Sequence, residues 1–597
     1  MTRDIELSTT MQAVAEKSLK LLRDFEHQPA QLHDLVKQFT DLTNDFLTMV
    51  IIILKNPDEV WKMQVAYWKD AMGLAQEQLG LWLEGKSKPI SDKRFSGEEW
   101  VNNPFFNLLG QHYLLASEHM NSLLEHIDYG DKKLARRIQF FARQYLDALS
   151  PANFLHTNPQ LMAETIQSHG SNLLKGLENL LTDMEAGTSR LIIKMTDTDA
   201  FKIGQNLAIT PGKVIFRNDM MELIQYTPQT GKVKAVPLLI IPPWINKYYI
   251  LDLSPKNSFV RWLVEQGITV FMISWVNPDA SYANKGLYDY LKDGPMTAIE
   301  IIQKQLQVKK VNALGFCIGG TLLSCLLAYY KALGETPVNS ATFLASMIDF
   351  SDPGDISVFI DEHQIAHLEE KMNQKGYLEG RFMANTFNSL RANDLIWSFF
   401  IKNYLQGKNP VPYDILFWNA DATNMPAKMH SSYLRWMYLH NYLIQPNKIL
   451  LNKVPLDVTQ IDIPTFFLST IKDHIAPWKT TYKGFQLMKG KKQFLLGGSG
   501  HIAGIVNPPT SEKYGYYRNP NTAGTAEEWF HHAIHLAGSW WPEWLKWLKK
   551  ESGRLINAPD IAHLPLQGIM NAPGSYVLKS GEENSRQETS VSKELSY

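Results

Sequence analysis

Cysteine is almost absent from this chain. Only Cys317 and Cys325 occur in 597 residues, with no CxxC pair, so neither a disulfide framework nor a cysteine-rich zinc site can be built. A reducing compartment is expected. An excess of charge of one sign is also lacking: 59 Lys+Arg stand against 60 Asp+Glu, which leaves no basic field to neutralise phosphates and no acidic tract. Nucleic acid is not an expected partner. The opening residues, MTRDIELSTT, carry acids and none of the apolar core of a signal peptide, so a cytoplasmic protein is expected. Long charge-free runs are scarce. The longest, VNALGFCIGGTLLSCLLAYY at residues 311–330, approaches the length of about 20 apolar residues that a membrane span needs. Asn312, Gly315, Gly319, Gly320, Thr321 and Ser324 break it into a short strand, a glycine turn and a helix. No transmembrane segment is expected.

What is present reads as an ordinary globular chain, 45% hydrophobic and 20% charged. Up to about residue 200 the apolar residues recur at three and four spacing, in stretches such as 32–54, 60–83 and 134–149. This predicts a helical N-terminal domain over 1–200, with breaks where Asn56-Pro57, Ser150-Pro151 and Asn158-Pro159 disfavour continued helix. The run FLTMVIIIL, residues 46–54, reads as a core helix or as an apolar face for a lipid or polymer surface. Beyond residue 201 short β-branched and aromatic runs (236–241, 269–275, 311–315, 341–346, 465–469 and 493–496) alternate with helical stretches, the pattern of a parallel sheet with crossover helices. Residues 350–460 are far too long for a simple crossover and predict a cap insertion within a catalytic domain of 201–579. The polar tail 580–597, SGEENSRQETSVSKELSY, has the composition of a disordered segment.

Gly315-Phe316-Cys317-Ile318-Gly319-Gly320 follows an apolar strand and opens an apolar helix. In a G-x-Nuc-x-G nucleophile elbow the flanking glycines are needed because a Cβ there would clash with the sharp turn. Cys317 is then the nucleophile: a helix N-terminus favours a thiolate, and the Ile318 amide points where an oxyanion forms. In such folds the acid and the histidine follow the nucleophile along the chain, each after a late strand. Asp473 follows the run 465–469, and His501 follows 493–496 on a glycine-rich turn, GGSGH. His474 reads as a neighbour of the acid and Cys325 as packing. The HHAIH cluster, His531, His532 and His535, has zinc-like i, i+4 spacing but lacks the glutamate of HExxH; no metal or other cofactor is expected. A thiol nucleophile keeps an acyl group activated as a thioester, which favours transfer from a carrier thiol over hydrolysis.

With these residues in hand the chain closely resembles the class I polyhydroxyalkanoate synthases. The likeness extends through DKRFSGEEW (92–100), YLDALSPANFLHTNP (145–159), PPWINKYYILDL (242–253), SWVNPD (274–279), WNADATN (418–424), KDHIAPW (472–478), GHIAGIVNPP (500–509) and GSWW (538–541). The resemblance implies an α/β-hydrolase fold with a long cap insertion behind a mainly helical N-terminal domain. It implies polymerisation of an (R)-3-hydroxyacyl-CoA with release of CoA, and the elbow GFCIGG implies short-chain units such as 3-hydroxybutyryl. Carried onto this chain, Cys317 holds the growing polymer, His501 deprotonates the thiol and Asp473 activates a substrate hydroxyl, where triad logic alone makes Asp473 the orienter of His501. The oxyanion hole implied is the Ile318 amide with an amide near Trp244 or Ile245, Ile245 being favoured. A homodimer at the surface of polyester granules is also implied, with the N-terminal region supporting both. The alternatives are a thioesterase or esterase of the same fold, and a non-catalytic protein coating an inclusion.

Overall fold

The computed structural model describes residues 10–18, 20, 47–186 and 191–579, so the predicted helix at 32–54 falls largely, and the polar tail 580–597 wholly, outside the described residues. Among the described residues one compact unit comprises those up to 197 together with 388–411, and the other comprises 198–387 with 412 onward.

The first unit is helical: α1 (Pro57–Leu83), α2 (Pro104–His126), α3 (Lys132–Ala148), α4 (Pro159–Gln167) and α5 (Ser171–Ala186). At Asn103-Pro104 and Asn158-Pro159 a new helix starts, because proline at the first helical position gives up no hydrogen bond and the asparagine before it caps the helix. Asn103 accepts from the Phe105 and Phe106 amides, and Asn158 from those of Gln160 and Leu161. Leu123, Leu124, Ile138 and Ala142 of α2 and α3 form a small core that Val60 and Met63 of α1 pack against. The opposite face of α1 is apolar too, with Trp61, Val65, Trp68, Met72, Leu79 and Trp82 exposed. Residues 388–411, which fall inside the stretch expected as cap, group with this unit instead. The reason lies on α5: a Cβ on Gly176 would lie 1.9 Å from the Tyr404 carbonyl oxygen, Asn172 donates to the Leu405 carbonyl at 2.8 Å and Asn179 to that of Asn403 at 3.0 Å. Both amide side chains thus spend a donor on that segment's backbone.

The second unit is built on an eleven-stranded sheet: β1 (Gly212–Arg217), β2 (Met221–Tyr226), β3 (Leu238–Ile241), β4 (Val270–Trp275), β5 (Val311–Phe316), β6 (Val338–Leu344), β7 (Thr465–Thr470), β8 (Lys492–Gly497), β9 (Tyr516–Arg518), β10 (Ile534–Leu536) and β11 (Met570–Asn571). Their order is β10-β9-β8-β7-β6-β5-β3-β4-β2-β1-β11. β4, β3, β5, β6, β7 and β8 run parallel, and the strands outside them pair antiparallel. Among the helices of this unit are α6 (Phe259–Glu265), α7 (Thr297–Leu306), α8 (Ile318–Leu333), α9 (Ala427–Tyr433), α10 (Trp478–Gln486) and α11 (Trp541–Glu551). Alternate residues of the central strands enter two separate cores. Leu239 and Ile241 pack with α7, α8 and α10, while Leu238 and Ile240 pack with α6 and α11. Helices on both faces of a parallel sheet are what its fully apolar strands require. This is the α/β-hydrolase fold, and β3 to β8 lie within a few residues of the runs read from the sequence. Missing from that reading are the hairpin β1–β2 and the short strands β9 to β11. No helix among the described residues is long and apolar enough to cross a membrane.

His430 on α9 is buried, its Nδ1 has no hydrogen-bond partner, and burial pushes it down to about 4. The unfolded chain takes up this proton near 6.5 and the fold resists until about 4. Stability is therefore full above pH 6.5 and declines as pH falls through that window, by about 3 kcal/mol in all. Asp252, which burial raises to about 6, acts in the opposite sense, so only a comparison of variants isolates the histidine. Urea midpoints at pH 7 and pH 5 should fall less in His430→Gln than in the parent chain; parallel falls would contradict the assignment.

Candidate active site

The geometry begins at the end of β5. Its last residues pair on both sides, Ile241 with Gly315 and Phe316 with Leu344, and the chain then reverses at Cys317 with φ 54° and ψ −126° before α8 starts at Ile318. The Cys317 amide donates to the Leu344 carbonyl at 2.9 Å. Helix and strand meet so closely that a Cβ on Gly315 would lie 2.4 Å from the Gly320 Cα, and one on Gly319 would lie 2.2 Å from the Ile241 carbonyl oxygen. The glycine spacing of the motif is thus a steric requirement of the turn. Cys317 itself is only partly buried.

The acid and the histidine come from neighbouring strands. Thr470 of β7 pairs with Gly497 of β8, so the loops carrying Asp473 and His501 leave the sheet side by side. Asp473 Oδ2 accepts from His501 Nδ1 at 2.7 Å and from the Thr470 hydroxyl at 3.2 Å. Its Oδ1 accepts from the Ile475 and Ala476 amides at 2.9 and 2.8 Å. The side chains of Asp473 and His501 are 0% and 4% exposed. Phe316 stacks on the imidazole, ring centroids 5.6 Å apart. Burial works against a charged His501, but the Asp473 carboxylate and the Cys317 sulfur, both within polar reach, outweigh it and push the imidazole up to about 10. The three residues singled out in the sequence therefore converge.

The two oxyanion candidates sit on the elbow and beside it. Ile318 is the first residue of α8, so its amide has no intrahelical acceptor. Ile245 follows β3, whose last residue pairs with Gly315. Its loop is pinned by Thr423, which donates through its hydroxyl to the Trp244 carbonyl at 2.7 Å and through its amide to that of Ile245 at 3.4 Å.

The remaining sequence candidates lie apart from this chemistry. Cys325 is buried in α8 and burial pushes its thiol up to about 12. The helix carrying His531 ends there, and His535 lies in β10 against the Tyr517 ring, so HHAIH does not share one helical face. Among the described residues no group of three or more His, Cys, Asp or Glu is placed to hold a metal.

Sequence reading missed an aromatic cluster at the elbow. Ring contacts link Trp244, Phe350, Tyr433 and Tyr438 through Tyr433, which lies 6.2 Å from Trp244, 6.1 Å from Phe350 and 5.7 Å from Tyr438. Both phenols are held far above their usual range, first by burial and then by neighbouring groups that include Cys317. These residues are scattered over almost two hundred positions, and no spacing rule joins them.

Residues 91–263 match the family described as the poly-beta-hydroxybutyrate polymerase (PhaC) N-terminus, and residues 237–508 match the alpha/beta hydrolase fold. The chain is 43% identical over 548 residues to the poly(3-hydroxyalkanoate) polymerase of Methylorubrum extorquens, covering 90% of each protein. It belongs to the poly(3-hydroxyalkanoate) polymerase family. Two further members of that family agree. The polymerase subunit PhaC of Rhizobium meliloti (strain 1021) is 46% identical, with 82% of this chain and 79% of that one covered. That of Cupriavidus necator is 42% identical, with 87% and 88% covered. Poly(3-hydroxyalkanoate) polymerases are acyltransferases, and so is this chain.

Asp473→Asn removes the charge that lifts His501 and leaves burial, which lowers it. The pH profile of Cys317 alkylation by iodoacetamide should shift in that variant by roughly one pH unit or more. Superimposable profiles would show that Asp473 does not govern the imidazole.

Proposed function

We propose that this chain polymerises (R)-3-hydroxyacyl-CoA, in particular short-chain units such as 3-hydroxybutyryl-CoA, into a polyester through a thioester on Cys317, with release of CoA. The reading is carried by the Asp473–His501 contact of 2.7 Å beside a thiol held at a strand-to-helix elbow. His501 accepts the thiol proton, for which its raised proton affinity suits it. The sulfur attacks the acyl-CoA carbonyl, the C–S bond to CoA breaks, and CoA leaves with the proton from His501. The Ile318 and Ile245 amides bind the oxyanion. The hydroxyl of a second unit then attacks the Cys317 thioester; a C–O bond forms, the C–S bond breaks, and the hydroxyl proton passes through His501 to the sulfur. The lengthened chain, now a CoA thioester, reloads on Cys317. No metal and no redox cofactor enters this scheme.

Asp473 acts here as the orienter of His501. All four of its acceptor positions are used by Thr470, His501, Ile475 and Ala476, and its side chain is 0% exposed, so no oxygen is free to activate a hydroxyl. The short-chain preference is supported by the elbow GFCIGG, which sets Phe316 and Ile318 on either side of the thiol. We place the protein as a homodimer in the cytoplasm at the surface of the growing polyester granule, with residues 1–200 supporting both contacts. The exposed tryptophans and aliphatics of α1 support the surface role, since amphipathic rings favour boundaries between water and an apolar phase.

Purified protein given (R)-3-hydroxybutyryl-CoA should release free thiol and become turbid together, and Cys317→Ser should do neither at a measurable rate. Thiol release with soluble acid only would replace polymerisation by thioester hydrolysis.

A further inference from the structure

The segment WNADATN, residues 418–424, has no task in the acyl-transfer scheme, yet it lies along the loop that follows β3. Asn246 and Ala422 form an antiparallel bridge, and the Trp418 indole donates to the Lys247 carbonyl at 2.7 Å. Thr423 bonds two carbonyls in succession, that of Trp244 through its hydroxyl at 2.7 Å and that of Ile245 through its amide at 3.4 Å.

Those two carbonyls bracket one amide. The Trp244 C=O and the Ile245 N–H belong to the same peptide unit, which is trans, so they point in opposite directions. Holding the oxygen from the Thr423 side therefore aims the N–H the other way, and a bonded carbonyl polarises its peptide and strengthens that N–H as a donor. The Ile245 C=O belongs to the next peptide unit, so Thr423 fixes the planes on both sides of residue 245. Among the described residues the Ile245 amide donates to no other group. Its loop begins against the elbow helix: a Cβ on Gly319, two residues past Cys317, would lie 2.2 Å from the Ile241 carbonyl oxygen and 2.8 Å from that of Pro242.

Thr423 is itself held from both sides. Before it, Asp421 pairs with Lys247 Nζ at 2.7 Å and accepts from the Tyr249 hydroxyl at 2.9 Å, and Lys247 Nζ also donates to the Val577 carbonyl at 2.8 Å. After it, the Asn424 amide donates to Asn277 Oδ1 and its side chain to the Pro278 carbonyl, both at 3.0 Å, while its Oδ1 accepts from the Gly380 amide at 3.1 Å. Lys247, Thr423 and Asn424 are all buried. A donor set in advance by such a frame needs no reorganisation when charge develops in front of it.

We infer that Thr423 is the positioning residue of the oxyanion hole: its hydroxyl sets the peptide whose Ile245 N–H meets the acyl oxygen when the Cys317 sulfur adds to the carbonyl carbon. The C=O electron pair moves onto that oxygen and returns as the C–S bond to CoA breaks, and Thr423 neither gains nor loses a proton. The same hold serves the attack of a hydroxyl on the Cys317 thioester, since that step also passes through an oxyanion. The inference rests on the reading in which the Ile245 amide binds that oxygen.

Two reactions of one thiol separate this role from packing alone. Acylation by (R)-3-hydroxybutyryl-CoA passes through an oxyanion, whereas alkylation by iodoacetamide displaces iodide and does not. In Thr423→Val, single-turnover CoA release should slow roughly 10- to 100-fold. The acyl-CoA concentration for half-maximal rate should stay within about twofold of the parent, and alkylation should keep its rate and pH profile. Thr423→Ser, which keeps the donor, should acylate within a few-fold of the parent. Acylation by Thr423→Val at the parent rate, equal slowing of both reactions, or a serine variant as slow as the valine one would overturn the assignment. An ester in place of the Trp244–Ile245 amide removes the N–H and should slow acylation at least as much. Parent-rate acylation by that ester variant would take Ile245 out of the oxyanion hole and the inference with it. A slow ester variant beside a parent-like Thr423→Val would keep Ile245 and overturn the role of Thr423 alone.

Discussion

One backbone position governs the site. Cys317 holds a left-handed φ of 54°, a conformation that costs a non-glycine residue about 1–3 kcal/mol and persists only where the surroundings over-determine it. Here they do. β5 is paired on both sides to its last residues, the Cys317 amide is bonded to Leu344, and the space that side chains at Gly315 and Gly319 would need is taken by Gly320 and by the end of β3. The strain projects the thiol out of both strand and helix, toward the carboxyl ends of the strands where the other loops meet.

Everything else in the site is an answer to where that sulfur stands. β7 and β8 run in register up to Thr470 and Gly497, and that register sets the Asp473 and His501 loops at the same height above the sheet. Asp473 is then fixed by two amides of its own loop, so its orientation does not depend on the histidine it holds. Burial and charge oppose each other at His501, and charge prevails because two neighbours act on one desolvated ring. The stacked Phe316 ring adds the flat wall that keeps the imidazole in plane with its acid.

The legible part of this protein was the part governed by local rules. The elbow could be read because glycine spacing and an apolar strand are dictated by sterics within six residues, and Asp473 and His501 because each follows a run of β-branched or aromatic residues. β3 to β8 were visible for the same reason: strands buried on both faces are continuously apolar. The hairpin β1–β2 was not, since GKVIFR and MELIQY mix charges among their apolar residues, with Glu222 buried against Arg217. The assignment of 388–411 was illegible too, because it rests on Gly176, Asn172 and Asn179 meeting a backbone more than two hundred residues away.

The aromatic cluster shows the limit most plainly. Tyr433 and Tyr438 carry a spacing of five, which fits neither the helical nor the strand period, and a sequence scan passes over them. The π-helical turn at Leu434–Leu439 makes that spacing meaningful, and such turns are rare, occurring mostly as single turns within α-helices. This one is stabilised from outside, by Asn441 bonded to the chain that leaves β6. The same sheet that strains Cys317 therefore also supports, through Asp349 and Phe350, the turn that brings two phenol rings together.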